Sequence, residues 1–121
     1  MDSDVLARLR VATAALEAKK AFRMTALDVS SLTSIAAAFV ICSVGSTRQA
    51  QAVADEVGRQ LVAAGMRPLS VEGYAQGSWI LMDYGDFLLH IFLEERRDFF
   101  ALERLWGDAP DVTGSLISVR P

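Results

Sequence analysis

The chain has 121 residues, room for one domain and little more. Its residues are 52% hydrophobic and 22% charged, enough apolar material for a core and too much for a disordered chain. The formal net charge of −3 argues against binding driven by phosphate contacts and favours a protein or small-molecule partner. The pairs Lys19–Lys20 and Arg96–Arg97 read as solvated helix faces. Cys42 is the single cysteine, so no internal disulfide and no cysteine-rich metal motif can form. The opening Met1-Asp2-Ser3-Asp4 is not a secretory signal, and no apolar run is long enough to span a bilayer. The expected compartment is the cytosol.

Residues 4–20 suggest an amphipathic helix, with Val5, Leu9, Ala12 and Leu16 on one stripe and Asp2 or Ser3 as the cap. Met24 to Val29 is a short strand candidate. Ala38 to Val44 is an unbroken apolar run, which suits a strand buried on both faces. Ser46, with Gln49 three residues on, has the capping-box spacing. Ala50, Val53, Ala54, Val57 and Leu61 mark the buried stripe of the helix that follows, and Gly65 stands at its end. A strand from Pro68 to Val71 then completes a strand–helix–strand unit of the parallel kind.

Trp79 to Tyr84 and Asp86 to Leu93 are expected to form a hairpin turning at Tyr84-Gly85, which pairs Asp83 with Asp86, Leu81 with Leu88 and Trp79 with His90. Alternation puts Ile80, Met82, Phe87, Leu89 and Ile91 on one wholly apolar face. The other face carries Trp79, Leu81, Asp83, Asp86, Leu88 and His90, a mixture that suits a protein-binding patch. The competing reading covers this face too and makes Trp79 a core residue. Residues 95–106 read as a last helix with Phe99, Leu102, Leu105 and Trp106 on its stripe. Phe100 lies off that stripe, free to extend a contact surface. The segment 108–121 is a tail that is either loose or holds a short strand at Leu116 to Val119. The expected class is α/β, a single domain with a mixed sheet of about five strands and flanking helices.

His90, the only histidine, lacks companions for a metal set, and a contact or structural role outweighs catalysis. Asp83 and Asp86 read as turn residues rather than cation ligands. Gly45-Ser46-Thr47-Arg48, after a strand and opening a helix, resembles a phosphate-binding turn and the Gly-Ser signature of nucleotidyltransferases. The paired carboxylates that such enzymes use for magnesium do not follow, because Pro68 to Val71 has none before Glu72.

Taken in order, Ala26-Leu27-Asp28-Val29, Phe39-Val40-Ile41-Cys42, Gly45-Ser46-Thr47-Arg48, Val71-Glu72-Gly73, Trp79 to Asp86, His90 and Leu102 to Trp106 resemble the iojap or RsfS family of ribosomal silencing factors. The resemblance runs from about Ala26 to Trp106 and sets a family-like domain at 1–107, with its core at 24–106. It departs from the family at Ala36-Ala37, where Thr-Asp is usual, and assigns no role after Gly107. It implies a fold related to nucleotidyltransferases without their catalytic carboxylates, no enzymatic activity and no cofactor or metal. It also implies binding to the large ribosomal subunit through ribosomal protein L-fourteen, steric exclusion of the small subunit, and room for a minor contact with ribosomal RNA. The expected contact residues are Arg48, Trp79, Leu81, Asp83, Leu88, His90 and Phe100. The alternatives are an enzyme acting on a nucleotide or phosphate ester through Ser46 and Arg48, and a homodimer formed through the strand face.

Overall fold

The computed structural model describes residues 1–116, without the side chains at 99, 100, 102 and 103. Helix α1 spans Ser3–Ala18 and begins where the Asp2 carboxylate accepts the Asp4 N–H at 2.7 Å. It buries Val5, Leu9, Ala12 and Leu16, the stripe that its periodicity requires. Helix α2 spans Thr47–Ala63. Its cap is reciprocal: Ser46 Oγ accepts from Gln49 N–H at 3.0 Å, and Gln49 Oε1 accepts from Gly45 N–H at 2.7 Å. Both helices lie on one face of a five-stranded sheet over Val40, Cys42, Ile80, Leu89 and Ile91.

The strands are β1 (Phe22–Asp28), β2 (Ala38–Val44), β3 (Ser70–Glu72), β4 (Trp79–Asp83) and β5 (Phe87–Leu93), in the order β1-β2-β5-β4-β3. Every residue of β2 is buried, as its apolar run demands, and β2 is the interior strand between β1 and β5. Among the described residues only β2 and β5 pair in parallel. The β2–α2–β3 unit therefore does not place its strands side by side. Phe87, Leu89, Ile91 and Phe92 give β5 the apolar content that a place beside β2 requires, whereas Ser70, Val71 and Glu72 are all exposed at the far edge.

The hairpin register differs from the expected one by two residues. Asp83 pairs with Leu88, Leu81 with His90 and Trp79 with Phe92, and Tyr84 N–H donates to Phe87 O at 3.0 Å across Gly85-Asp86. Tyr84 explains the slip, because it is buried and stacks on Phe87 at 5.1 Å, where a turn at Tyr84-Gly85 would leave it on the outside. The Asp83 carboxylate also accepts Gly85 N–H at 2.8 Å, which suits an Asx-type turn. A slip of two residues keeps the faces, so the division of side chains holds within the strands, while Asp86, in the turn, pairs instead with Arg8 of α1 on the helix side.

The last helix is not continuous. Helix α3 (Glu94–Phe100) stops at Ala101, whose φ of 50° is left-handed, and a short α4 (Leu102–Leu105) follows in a new direction. Leu105, expected on the buried stripe, is 74% exposed. The turn carries Trp106 and Ala109 onto the second face of the sheet, where Trp106 meets Phe39 edge-on at 5.1 Å. The segment after Gly107 then runs along the outer edge of β1. Asp28 N–H donates to Pro110 O, Val112 N–H to Ala26 O and Ala26 N–H to Thr113 Oγ1, at 2.8–2.9 Å. Thr113–Leu116 forms a single turn, α5, and Leu116 is buried in the main core. The candidate strand from Leu116 thus begins in a helical turn, and its remaining residues lie outside those described.

Candidate functional site

The second face of the sheet is only half covered. Leu27, Val29, Phe39, Ile41 and Phe92 are sealed there together with Ala109, while Trp79 and Leu88 are partly exposed at the margin of the cluster. Leu81 is also partly exposed and forms a shallow depression with Trp79, Glu72 and Gly73. Cross-strand pairing puts Glu72 beside Leu81, and Asp83 beside Leu88. The result is an apolar strip with carboxylates along it. Gly73 is required below it: its φ is +80°, and any side chain would collide with the Trp79 carbonyl.

Trp79 belongs to both of its competing readings. Its ring stacks on Phe92 at 4.9 Å, and its indole N–H donates to His90 Nδ1 at 3.2 Å, yet part of the side chain reaches solvent. His90 is 6% exposed and lies among aromatic rings, with Phe39 at 5.5 Å and Phe92 at 6.1 Å. Since Nδ1 accepts the indole proton, the ring proton sits on Nε2, which is buried with no hydrogen-bond partner among the described residues. Burial holds the imidazole pKa down at about 4, so the ring is neutral at neutral pH and positions Trp79 rather than exchanging protons.

This burial has a measurable consequence. The unfolded chain takes up the His90 proton near pH 6.5 and the folded chain only near pH 4. The stability contributed by the neutral ring is therefore complete above pH 6.5 and is lost as the pH falls toward 4. Between pH 6.5 and 4.5 the loss should be about 2 kcal/mol, and His90→Gln should remove it. Urea unfolding of both proteins at the two pH values checks this, and equal losses would rule out His90 as the source.

The other candidates are dispersed. Asp83 serves its own turn, and Asp86 is paired with Arg8 of α1. Arg48 is exposed in the first turn of α2, the helix that packs on the opposite face of the sheet. Phe100 ends α3, and its side chain is among those not described. In the Gly45–Arg48 turn, Ser46 Oγ and the Gly45 N–H are both engaged by Gln49. The loop after β3 closes on the same turn: Gly77, at φ +68°, has no room for a side chain against Thr47, and Gln51 donates to Tyr74 O at 2.9 Å.

Arg97 corrects the reading of Arg96–Arg97 as a solvated pair. It is 2% exposed and donates to Thr25 Oγ1 at 3.1 Å, to Ser43 Oγ at 3.0 Å and to the Arg23 carbonyl. Nothing local marks it, since its partners lie more than fifty residues away in the chain. Glu72 was also missed, for its place beside Leu81 depends on β3 lying at the edge. Among the described residues no cluster of three or more histidine, cysteine or carboxylate groups could hold a metal ion, and no helix is long and apolar enough to cross a membrane.

Comparison with known proteins reaches the whole of this architecture. The sequence model of the family described as "Ribosomal silencing factor during starvation" matches residues 2–120, which includes the segment after Gly107. A ribosomal silencing factor RsfS of Halalkalibacterium halodurans is 39% identical over 104 residues, 86% of this chain and 89% of that protein. The RsfS of Bacillus subtilis is 38% identical over 102 residues, 84% of this chain and 86% of that protein. A crystal structure of a Chromobacterium violaceum protein superposes with a TM-score of 0.81 at 36% identity, covering 88% of each chain. The chain belongs to the ribosomal silencing factor family.

Proposed function

We propose that this chain silences ribosomes by occupancy. The strip of Trp79, Leu81 and Leu88 docks on ribosomal protein L-fourteen of the large subunit, and the bound factor keeps the small subunit from joining. The observation that carries this reading is the half-covered sheet face, apolar at its centre and flanked by Glu72 and Asp83. An aromatic anchor within a polar rim is the usual anatomy of a protein interface. Carboxylates at that rim suit a basic ribosomal protein and speed the encounter, an effect that salt screens. No bond is made or broken. The fraction of subunits blocked follows the free concentration of the factor relative to its dissociation constant. The site of action is the cytosol, where subunits meet. The enzyme reading has less support, since Ser46 is spent on capping α2 and the turn around it is closed over by Gly77.

The test is sedimentation of the purified chain with isolated large subunits, isolated small subunits and joined ribosomes. Recovery is expected with large subunits alone, and preloading them should prevent rejoining. Equal recovery in all three fractions would remove exclusion as the mechanism.

A further inference from the structure

We propose that the cleft lined by Arg23, Arg97 and Arg104 is an oxyanion site that takes a phosphate group. The three arginines come from β1, α3 and α4 and line one cleft of about 180 Å³, completed among the described residues by Asp98 and Ala101. Such convergence is unexpected in a chain of net charge −3. Two of the arginines are placed by irregularities of the backbone, and the third by its hydrogen bonds. Arg23 sits in the register shift between Phe22 and Thr25, at φ 49°, which turns it out of the regular ladder. Arg97 is held by Thr25, Ser43 and the Arg23 carbonyl and is 2% exposed, so it lends the cleft a fixed charge while the open donors are those of Arg23 and Arg104. Arg104 reaches the cleft because the left-handed Ala101 redirects the chain between α3 and α4.

The cleft already holds a carboxylate in the place an oxyanion would take. Asp98 Oδ1 lies 3.3 Å from Arg23 Nη2 and 3.4 Å from Nη1, and its side chain is 71% exposed. Glu94 pairs with Arg23 from the side of Ser43. Asp98 can swing into solvent, and a phosphate offers the same charge with more acceptor oxygens for the forked guanidinium donors. The cleft is also close to the docking strip. Ser43, which Arg97 holds, pairs across the sheet with Phe92, and Phe92 with Trp79. Two strand spacings put these positions about 10 Å apart on one sheet face. A backbone phosphate of ribosomal RNA beside the protein partner and a free phosphate compound present the same group. The RNA source rests on the docking reading above, and the oxyanion chemistry does not.

The experiment is a titration of the full chain, followed by backbone amide resonances, with inorganic phosphate, with pyrophosphate and with a short single-stranded oligouridylate. Ionic strength is held constant with chloride. Saturable shifts are expected at Arg23, Arg97, Asp98, Ala101 and Arg104. Arg104→Gln should weaken binding about tenfold, the loss of one charge-assisted contact. Asp98→Asn should tighten it, which a merely structural Asp98 would not do. Melting of each variant checks that the fold is kept. Absence of saturable shifts, shifts that chloride reproduces, or indifference to both substitutions overturns the site. Shifts with oligouridylate that Arg104→Gln abolishes support RNA as the source, and pyrophosphate binding without them supports a small phosphate compound. Failure of the docking reading is seen separately, as loss of large-subunit co-sedimentation while the phosphate shifts remain.

Discussion

Trp79→Ala is expected to weaken binding to the large subunit by about 30-fold, the equivalent of about 2 kcal/mol for an aromatic anchor at the centre of an interface. It should also lower folding stability, because the ring stacks on Phe92 and donates to His90. A fully buried Trp loses about 3–5 kcal/mol on truncation, and a partly exposed one should lose less, roughly 2 kcal/mol. Affinity must therefore be measured on the folded fraction, with melting recorded for the same sample. Leu81→Ala separates the two effects, since Leu81 lies in the open depression and its loss should reduce affinity with little change in melting. Unchanged affinity in both folded variants would take the strip out of the interface.

Arg97→Met should cost about 3 kcal/mol of folding stability, a large loss for a residue whose neighbour Arg96 is exposed. Methionine replaces much of the aliphatic stem but leaves Thr25 Oγ1, Ser43 Oγ and the Arg23 carbonyl without the donor that served them. Buried groups stripped of a partner cost about 1–3 kcal/mol each, partly offset where water can enter. Arg97→Lys should lie between the two, because one ammonium cannot serve three acceptors spread over β1 and β2. Urea unfolding measures the series. A loss below about 0.5 kcal/mol for Arg97→Met would mean that the cation does not bolt α3 to the sheet.

The parts of this fold that sequence makes legible are those governed by short-range pattern. The apolar run Ala38 to Val44 yields its strand without error, and the Ser46–Gln49 spacing yields the start of α2. The two faces of the hairpin were legible even though its pairing was not, since a period of two is blind to a two-residue slip. What escaped depends on contacts distant in sequence. Tyr84 sets the turn by burying itself against Phe87, which turn propensity does not reveal. The break at Ala101 has no glycine to announce it, and the apolar spacing continues through it to Leu105, which the structure exposes. The docking strip was readable as a face, but its acidic flank required β3 to be placed at the edge, and the buried state of Arg97 required β1 and β2 to be in hand.

The pairing of residues 110–113 with β1 bears on solubility. A sheet can grow at either edge, and an exposed ladder of N–H and C=O groups recruits other strands. Here one edge is closed by the chain's own later segment, through Ala26 and Asp28, and the other is cut to the three residues of β3 with Glu72 among them. The protein can thus carry a sticky strand face without a sticky strand edge. A chain cut before Pro110 would keep α1 to α4 and the sheet but lose α5 with Leu116, and would leave Ala26 to Asp28 open to any passing strand. Its expected failure is concentration-dependent aggregation, visible by light scattering at temperatures well below melting, rather than simple unfolding.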